Sequence, residues 1–490
     1  MATPELTAEQ VDASAPEDLS ARNRLVIALL LVSTFVVILN ETIMSVALPR
    51  LMVALDSPAS AVQWLTTAFL LTMAVVIPIT GYLIQRINTR PLFIIAMSTF
   101  CLGTLACALS PGLGMLIAGR VIQAVGTAIM LPLLMTTVMT LVPEQSRGKT
   151  MGNISIVISV APAIGPTISG FILNSLDWRW MFWLVLPIAG GALALGAIRM
   201  KNVTTPRYAP LDFLSILLSV PAFGGIVYGL SMLGEGGGEG IVAPWIPLVV
   251  GLAMLAVFVF RQLRLQARDK ALLDLRTFAS PTFAIAVVMM AVCMMSLFGT
   301  IILLPIYTQN VLGMDALQTG LILLPGGLVM GLCAPFVGRL YDRFGARVLL
   351  VPGTVILSIV LWSLTLLNQT TPVPLLLAAH VTLSIGLALM FTPLFTASLG
   401  SLPAHLYSHG SAVIGTIQQV AGAAGVALFV ALLALQTNAL LAEGLDQVAA
   451  TAGGIRVAFT CGAVISLLAI VAAFFVRRPR NAAAGHGAMH

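Results

Sequence analysis

Gly81-Tyr-Leu-Ile-Gln-Arg-Ile-Asn-Thr-Arg90 is a short polar segment at the end of a long apolar run, and it returns 257 residues later as Gly338-Arg-Leu-Tyr-Asp-Arg-Phe-Gly-Ala-Arg347. Pro78, Gly81, Leu83, Arg86 and Arg90 have counterparts in Pro335, Gly338, Leu340, Arg343 and Arg347. A second set follows at an offset of 260, where Leu116, Ala118, Val121, Gly126, Ala128, Met130, Leu134, Thr136 and Pro143 match Leu376, Ala378, Val381, Gly386, Ala388, Met390, Leu394, Thr396 and Pro403. Matching Leu and Ala alone would be noise at this composition. Shared Pro, Gly, Arg and Met at one near-constant offset indicate a duplicated unit.

What the unit is made of follows from composition. Of 490 residues, 59% are apolar and only 9% charged, with a mean hydropathy of +1.04, which excludes a water-soluble globular chain. A helix rising 1.5 Å per residue crosses the roughly 30 Å hydrocarbon core in about 20 residues. Apolar runs of that size fall at approximately 25–49, 62–83, 91–109, 113–141, 151–174, 180–198, 213–233, 241–260, 283–307, 317–340, 348–367, 374–399, 411–435 and 457–476. The expected fold is therefore all-α and integral to the membrane, with fourteen spans. The first run is too long for a signal-peptide core and no basic region precedes it, so it is retained as a span.

The duplication divides these spans. Residues 22–200 form an amino-terminal six-helix bundle, 201–276 a linker with inserted helices seven and eight, and 277–478 a carboxy-terminal six-helix bundle. The polar ends, 1–21 and 479–490, read as tails too poor in apolar residues to order themselves. Two parallel repeats about an axis along the membrane normal enclose a central cavity, and rocking them about it gives alternating access. That is the architecture of a transporter.

Charge gives the orientation. With this segmentation 20 of the 24 Lys and Arg fall on one side, Arg50, Arg179 and Arg456 on the other, and Arg120 inside a span. Cytoplasmic loops retain basic residues, so both termini are expected in the cytoplasm of a multi-pass cell-membrane protein. The net charge of +6 is thus a topology signal. Because it is dealt out loop by loop, no nucleic-acid partner is expected. The five cysteines, Cys101, Cys107, Cys293, Cys333 and Cys461, lie in apolar runs without a CxxC pair, so neither a disulfide framework nor a metal site is suggested. Gly234-Glu-Gly-Gly-Gly-Glu-Gly240 lacks the Lys-Ser/Thr of a phosphate loop and reads as a flexible hairpin. No ATP site or other cofactor is expected, which leaves an ion gradient or the solute itself as the energy source.

The motifs in these spans resemble those of the major facilitator superfamily and, within it, the fourteen-span drug:proton antiporters of the lincomycin-resistance type. The resemblance covers nearly the whole chain. Gly81–Arg90 and Gly338–Arg347 are similar to the superfamily's GxLaDrxGrk loop, and they imply conformational roles for Gly81, Arg86, Arg90, Gly338, Asp342, Arg343 and Arg347. The first copy departs from the pattern at Gln85 and Asn88, while Asp342 keeps the acid in the second. Ile117-Ala-Gly-Arg120-Val-Ile-Gln123-Ala-Val-Gly126 is similar to the family's lxRxxqG stretch. Ala161-Pro-Ala-Ile-Gly165-Pro166-Thr-Ile-Ser169-Gly170 resembles the exporters' gxxxGPxxGG, in which Gly165, Pro166 and Gly170 allow a kink and close helix contact. Leu39-Asn40-Glu41-Thr42-Ile43-Met44-Ser45-Val46-Ala47-Leu48-Pro49 resembles lDxTivnvALP, with Asn40 at the acid's position and the acid one residue on.

Physical chemistry singles out two of these residues directly. An arginine in hydrocarbon costs several kcal/mol, so Arg120 must face the interior with a partner, either as a structural clamp or in proton coupling and gating. Glu41 must be paired, hydrated or protonated. It reads as a proton carrier that alternately binds a proton and a substrate group or Arg120, with a static hydrogen-bonded helix pair as the competing role. Glu41 and Arg120 lie at similar depths in spans one and four, within reach of pairing. His380 stands where the repeat places Arg120 and can titrate near neutral pH, although a core histidine is the favoured reading. Asn40, Gln63, Trp64, Gln123, Tyr307, Gln309, His380, Gln418 and Gln419 are candidate cavity residues, with Trp64 and Tyr307 also reading as interfacial anchors. Met289, Met290, Met294 and Met295 read as packing residues.

The expected function is export of amphipathic small molecules or drugs by proton antiport. The expected partners are small-molecule substrates, protons and membrane lipid, and the expected state is monomeric. A dedicated exporter of an endogenous metabolite, lipid or antibiotic is the nearest alternative. An intramembrane enzyme would need a nucleophile–base pair or a metal cluster facing the cavity, and the sequence offers none.

Overall fold

The computed structural model describes residues 16–203, 206, 212–234 and 243–476. Among them fourteen helices are long and apolar enough to cross a membrane, and no strand is formed. The amino-terminal half comprises α1 (Pro16–Ala54), α2 (Ala59–Arg86), α3 (Thr89–Ala108), α4 (Leu113–Leu141), α5 (Arg147–Ser175) and α6 (Trp180–Arg199). The inserted pair is α7, which runs from Phe213 to Gly234 through a π-helical turn at Val220–Gly224, and α8 (Trp245–Gln266). Pro221 has no amide hydrogen to donate into that turn. The carboxy-terminal half comprises α9 (Pro281–Asn310), α10 (Ala316–Phe344), α11 (Arg347–Leu364), α12 (Val373–Gly400), α13 (Tyr407–Ala442) and α14 (Gln447–Ala473).

Helix ends fall where local chemistry satisfies them. Asp315 caps α10 in a capping box, accepting from the Gln318 amide at 2.7 Å while Gln318 Oε1 accepts from the Asp315 amide at 3.1 Å. Gly345, at φ 82°, ends the same helix in the left-handed region that glycine favours. The tail expected over 1–21 gives way to helix at Pro16, and residues 1–15 lie outside the described residues. So do 235–240 of the glycine-rich hairpin and the tail at 479–490.

The halves meet along two symmetry-related seams, α5 against α10 and α2 against α13, with lesser contacts of α4 on α13 and α5 on α12. Their polar contacts cluster at the arginine-rich end. Asp342 at the end of α10 accepts from the amides of Gly148 and Lys149, both at 2.8 Å, so it satisfies two orphan donors at the start of α5. Close approach makes this reachable, because a Cβ on Gly152 would lie 2.5 Å from the Ala334 carbonyl oxygen and one on Gly338 would strike the Gly148 carbonyl. On the other seam Gln85, standing where the repeat has Asp342, donates to the His405 carbonyl at 3.1 Å. Thr392 donates to Ser155 across the halves, and Thr136 and Ser411 share a hydrogen bond, each at 2.8 Å. The arginine-rich end is therefore sealed in this state.

The inserted pair lies against α2 and α13, with Trp64 of α2 stacked at 5.6 Å on Tyr228 of α7. Asp212 caps α7 and takes two 2.7 Å hydrogen bonds from Arg261 of α8. Buried Gln262 donates to Ser215 at 2.7 Å and accepts from the amides of Leu272 and Leu273 at 2.8 and 3.3 Å. These bonds tie the pair to the segment that leads into α9.

Two expected outcomes follow. Gly338→Val should wedge α10 off α5 and, for each 1.4 kcal/mol lost from the seam, raise about tenfold the labelling rate of a single cysteine placed at Ser155. Maleimide labelling in an otherwise cysteine-free chain reads this, and an unchanged rate would show that the seam does not depend on the contact. Arg261 hydrogen bonds chiefly hold the Asp212 carboxyl below its usual value. A depressed carboxyl contributes stability that is present above the unfolded value of about 4 and is lost as pH falls through the folded one. Asp212→Asn should therefore lower the thermal midpoint at pH 7 and flatten its decline in acid.

Candidate functional site: a buried arginine beside an unpaired carboxylate

Three glycines on α3 and α4 bring the backbones together beneath Arg120. A Cβ on Gly103 would lie 2.7 Å from both Gln123 Cα and the Gly119 carbonyl oxygen, and one on Gly126 would lie 2.8 Å from the Phe100 nitrogen. At this separation Gln123 donates to Thr104 Oγ1 at 2.8 Å, which turns its Oε1 toward Arg120. The guanidinium is 1% exposed. Arg120 Nη1 donates to Gln123 Oε1 at 2.6 Å and to Asn40 Oδ1 at 3.2 Å, and Nε donates to the Leu65 carbonyl at 3.4 Å. Its plane sits 4.0 Å from the centroid of the Phe69 ring, a favourable face for a desolvated cation. Every protein acceptor is neutral. Of these partners, the sequence motifs flagged only Asn40 and Gln123. Thr104, Leu65 and Phe69 come from other spans, and no spacing in a single sequence points to them.

The pairing of Glu41 with Arg120 expected from depth is not formed in this state. Among the described residues the Glu41 carboxylate has no ion pair within 4.0 Å and makes no hydrogen bond. Successive helical residues lie 100° apart, so Asn40 takes the direction toward α4 and Glu41 is turned from it. Val32, 53% exposed, belongs to the outward stripe of α1 with Leu25. Glu41 follows it by nine residues, half a turn round the helix, on the face away from lipid. There it is half-buried. Thr42, the next residue, contacts α5 through the Ala161 carbonyl at 3.5 Å and against Gly165, whose missing side chain makes room for it.

The other sequence candidates separate. Gln418 borders a small cleft between α4, α12 and α13 with Pro132, Phe395 and Ser411, and Gln63 and Gln419 are half-buried. Trp64 lies on the flank against the inserted pair. Tyr307 is fully buried, and its hydroxyl donates to the Asn368 carbonyl at 2.6 Å, a tie between α9 and the loop before α12. Gln309 is exposed at the end of α9. His380 is 7% exposed and packs on α10. Met289, Met290 and Met294 are buried in the core.

Among the conformational residues, Arg90 donates to the Ala197 carbonyl at 2.6 Å near the end of α6, and Arg86 donates to Tyr82 at 2.7 Å. Arg343 and Arg347 lie over the rings of Phe344 and Phe474. Gly170 has open space where a Cβ would be, and the Pro166 side chain lies outside the described set. Among the described residues, no group of three or more potential ligands could hold a metal ion.

Comparison with known proteins adds identity to this geometry. A profile described as Major Facilitator Superfamily matches residues 30–426. A lincomycin resistance protein of Listeria monocytogenes is 40% identical over 460 residues, 93% of this chain and 97% of that protein. A multidrug resistance protein B homolog of Mycobacterium tuberculosis is 30% identical over 401 residues, 81% of this chain and 74% of its own length. Among solved structures, the human organic anion transporter MFSD10 aligns with a TM-score of 0.63 and 16% identity, over 92% of this chain and 99% of its own. The proton:xylose symporter XylE aligns with a TM-score of 0.63 and 16% identity, over 94% and 96%. At such identity the likeness is one of fold.

Gln123→Leu should destabilise the protein by about 1–3 kcal/mol, because it removes an acceptor from a buried cation and leaves Thr104 without its donor. The thermal midpoint in detergent checks this. Arg120→Lys should fall by a similar amount, since a lysine cannot donate in the guanidinium's plane or stack as broadly on Phe69.

Proposed function

Because the chain belongs to the major facilitator superfamily, we propose that it exports amphipathic small molecules of the lipophilic or cationic drug type, exchanging them for protons by alternating access. It is a multi-pass transporter and not an enzyme. The relatives named for resistance to lincomycin and to multiple drugs support the substrate class. We place the arginine-rich end in the cytoplasm of the cell membrane, with both termini there and the chain acting as a lipid-embedded monomer of two six-helix bundles and an inserted pair. In this orientation the sealed seams face the cytoplasm and the state is outward-facing.

The observation that carries the proposal is the unpaired Glu41 carboxylate, turned away from lipid one residue from the Asn40 that binds Arg120. A carboxylate in a low-dielectric interior is costly without a partner. Of its two forms, the protonated one is neutral and the ionised one needs a cation. In the outward-facing state Glu41 binds a proton from outside. When the halves rock and the chamber opens to the cytoplasm, the proton leaves and a cationic or donor-bearing substrate takes its place. Arg120, held by neutral acceptors, keeps its charge throughout and lowers the cost of the ionised carboxylate. Proton and substrate thus compete for one group, which is sufficient to link the two fluxes.

In proteoliposomes loaded with ethidium as the transported probe, Glu41→Gln should lose dye-driven proton movement at least about tenfold, as expected for a group that carries the coupling free energy. The thermal midpoint should stay near wild type, because Glu41 has no partner to lose. Coupling equal to wild type in this variant would remove the proposal.

A further inference from the structure

In the carboxy-terminal half His380 has its hydrogen bonding left half finished. His380 of α12 is 7% exposed. Its Nε2 lies 3.1 Å from the Leu323 carbonyl of α10. A carbonyl only accepts, so Nε2 carries the hydrogen and the neutral ring has its bare lone pair on Nδ1. Nδ1 is buried and has no partner, which is costly for an acceptor in a low-dielectric interior. The surroundings are built around the ring. Gly326 of α10 faces it without a side chain, and any Cβ there would strike the imidazole. The neighbouring hydroxyl of Ser384 is already committed to the His380 carbonyl at 2.9 Å.

We propose that His380 is a second proton-binding site, in the half opposite Glu41, and that its occupancy governs the α10–α5 seam. The inference rests on the proton-antiport proposal for its role in transport, but not for the binding of the proton. The bare nitrogen accepts a proton and the ring becomes a two-donor imidazolium, so the cation needs a second acceptor that the present packing does not supply. Proton uptake therefore favours the state in which α10 and α12 move apart. The same turn of α10 transmits this across the molecule. Gly326 faces His380, while Gly327 faces Ala163 and Gly331 faces Val160, both on α5. His380 lies seven residues inside the α12 end remote from the arginine-rich face, about 10 Å along the axis, and so on the side from which protons enter.

Among the described residues the other charged and titratable groups of the neighbouring helices stand apart from His380. On α10, Asp315 precedes Leu323 by eight residues, and Arg339, Asp342 and Arg343 follow Gly326 by 13 or more, about 20 Å along the axis. Arg347 of α11, Arg147 and Lys149 of α5, and Tyr407 and His409 of α13 all stand at the arginine-rich end. Tyr307 of α9 is bonded to the Asn368 carbonyl, and Cys293 of α9 lies against Met390. Cys333 of α10 lies two turns beyond Gly326. Among the described residues no hydrogen bond or ion pair joins any of them to His380.

The test uses the full chain labelled with 15N-histidine, with His380→Gln identifying the resonance by its absence. Gln keeps an N–H for Leu323 but does not titrate. The His380 nitrogen pair is expected to pass from neutral to imidazolium as pH is lowered over the range in which the protein stays folded. In ethidium-loaded proteoliposomes, His380→Gln should also halve the protons moved per dye and remove one limb of the pH profile. A ring that stays neutral over the whole range, or a variant whose proton count and profile match wild type, overturns the proposal. If the wild type moves no protons with ethidium, the antiport proposal fails, and the spectroscopic titration then decides for His380 alone.

Discussion

Arg120 is a full positive charge inside hydrocarbon with no acidic partner within ion-pair distance, and much of the amino-terminal half is arranged around that fact. A buried ion pair would cancel the charge but would lock the acid. Here dipoles solvate the cation instead: an asparagine from α1, a glutamine from α4, a backbone carbonyl from α2 and the face of a phenylalanine ring. The arrangement needs three helices in register and a glycine-lined contact between α3 and α4 to aim the glutamine. It leaves the nearby carboxylate free. A cation already satisfied by neutral groups is a standing electrostatic bias on that carboxylate rather than a partner that holds it.

The duplicated loops show the opposite economy. Gly81 and Gly338 both permit close approach to the other half, yet only the second copy keeps its acid. Asp342 therefore binds the start of α5 by charge and dipole, while Gln85 binds the turn before α13 by a single neutral hydrogen bond. Charge-assisted bonds are roughly twice as strong as neutral ones, so the two seams are unequal by construction. A bundle that rocks about such a pair has a stiff side and a compliant one, and the inserted helices lie on the compliant one.

Much of this was legible in the sequence, for definite reasons. Span count and duplication follow from hydrocarbon thickness and from Pro, Gly and Arg at a constant offset, which composition cannot mimic. Arg120 announces itself because any charge in a span must be explained. The identity of its partner was not legible. Depth along a helix can be counted, but whether Asn40 or Glu41 faces α4 turns on 100° of rotation, and rotation is set by packing against other spans. The same rotation places Tyr307 on the Asn368 carbonyl and Trp64 on Tyr228 of the inserted pair. An aromatic at a span end carries no signal to say whether it faces a chamber, a loop or an inserted helix.

The inserted pair extends this point. Nothing in its sequence marks Gln262, yet that side chain satisfies two consecutive buried amides, of Leu272 and Leu273, and the next amide, of Asp274, reaches His409 Nδ1 of α13 at 3.4 Å. Burial opposes ionisation of Asp274, but hydrogen bonds from the Arg276 side chain and amide prevail and hold its carboxyl below the usual value. Three successive amides in an irregular segment thus depend on side chains from α8 and α13. An unmade buried amide bond is expensive, so these contacts must survive whatever motion the halves undergo. The joint is anchored to α13, whereas toward α2 the pair presents a ring stack between Trp64 and Tyr228. Rings can slide where buried amides cannot part, so the inserted helices are held more firmly to α13 than to α2.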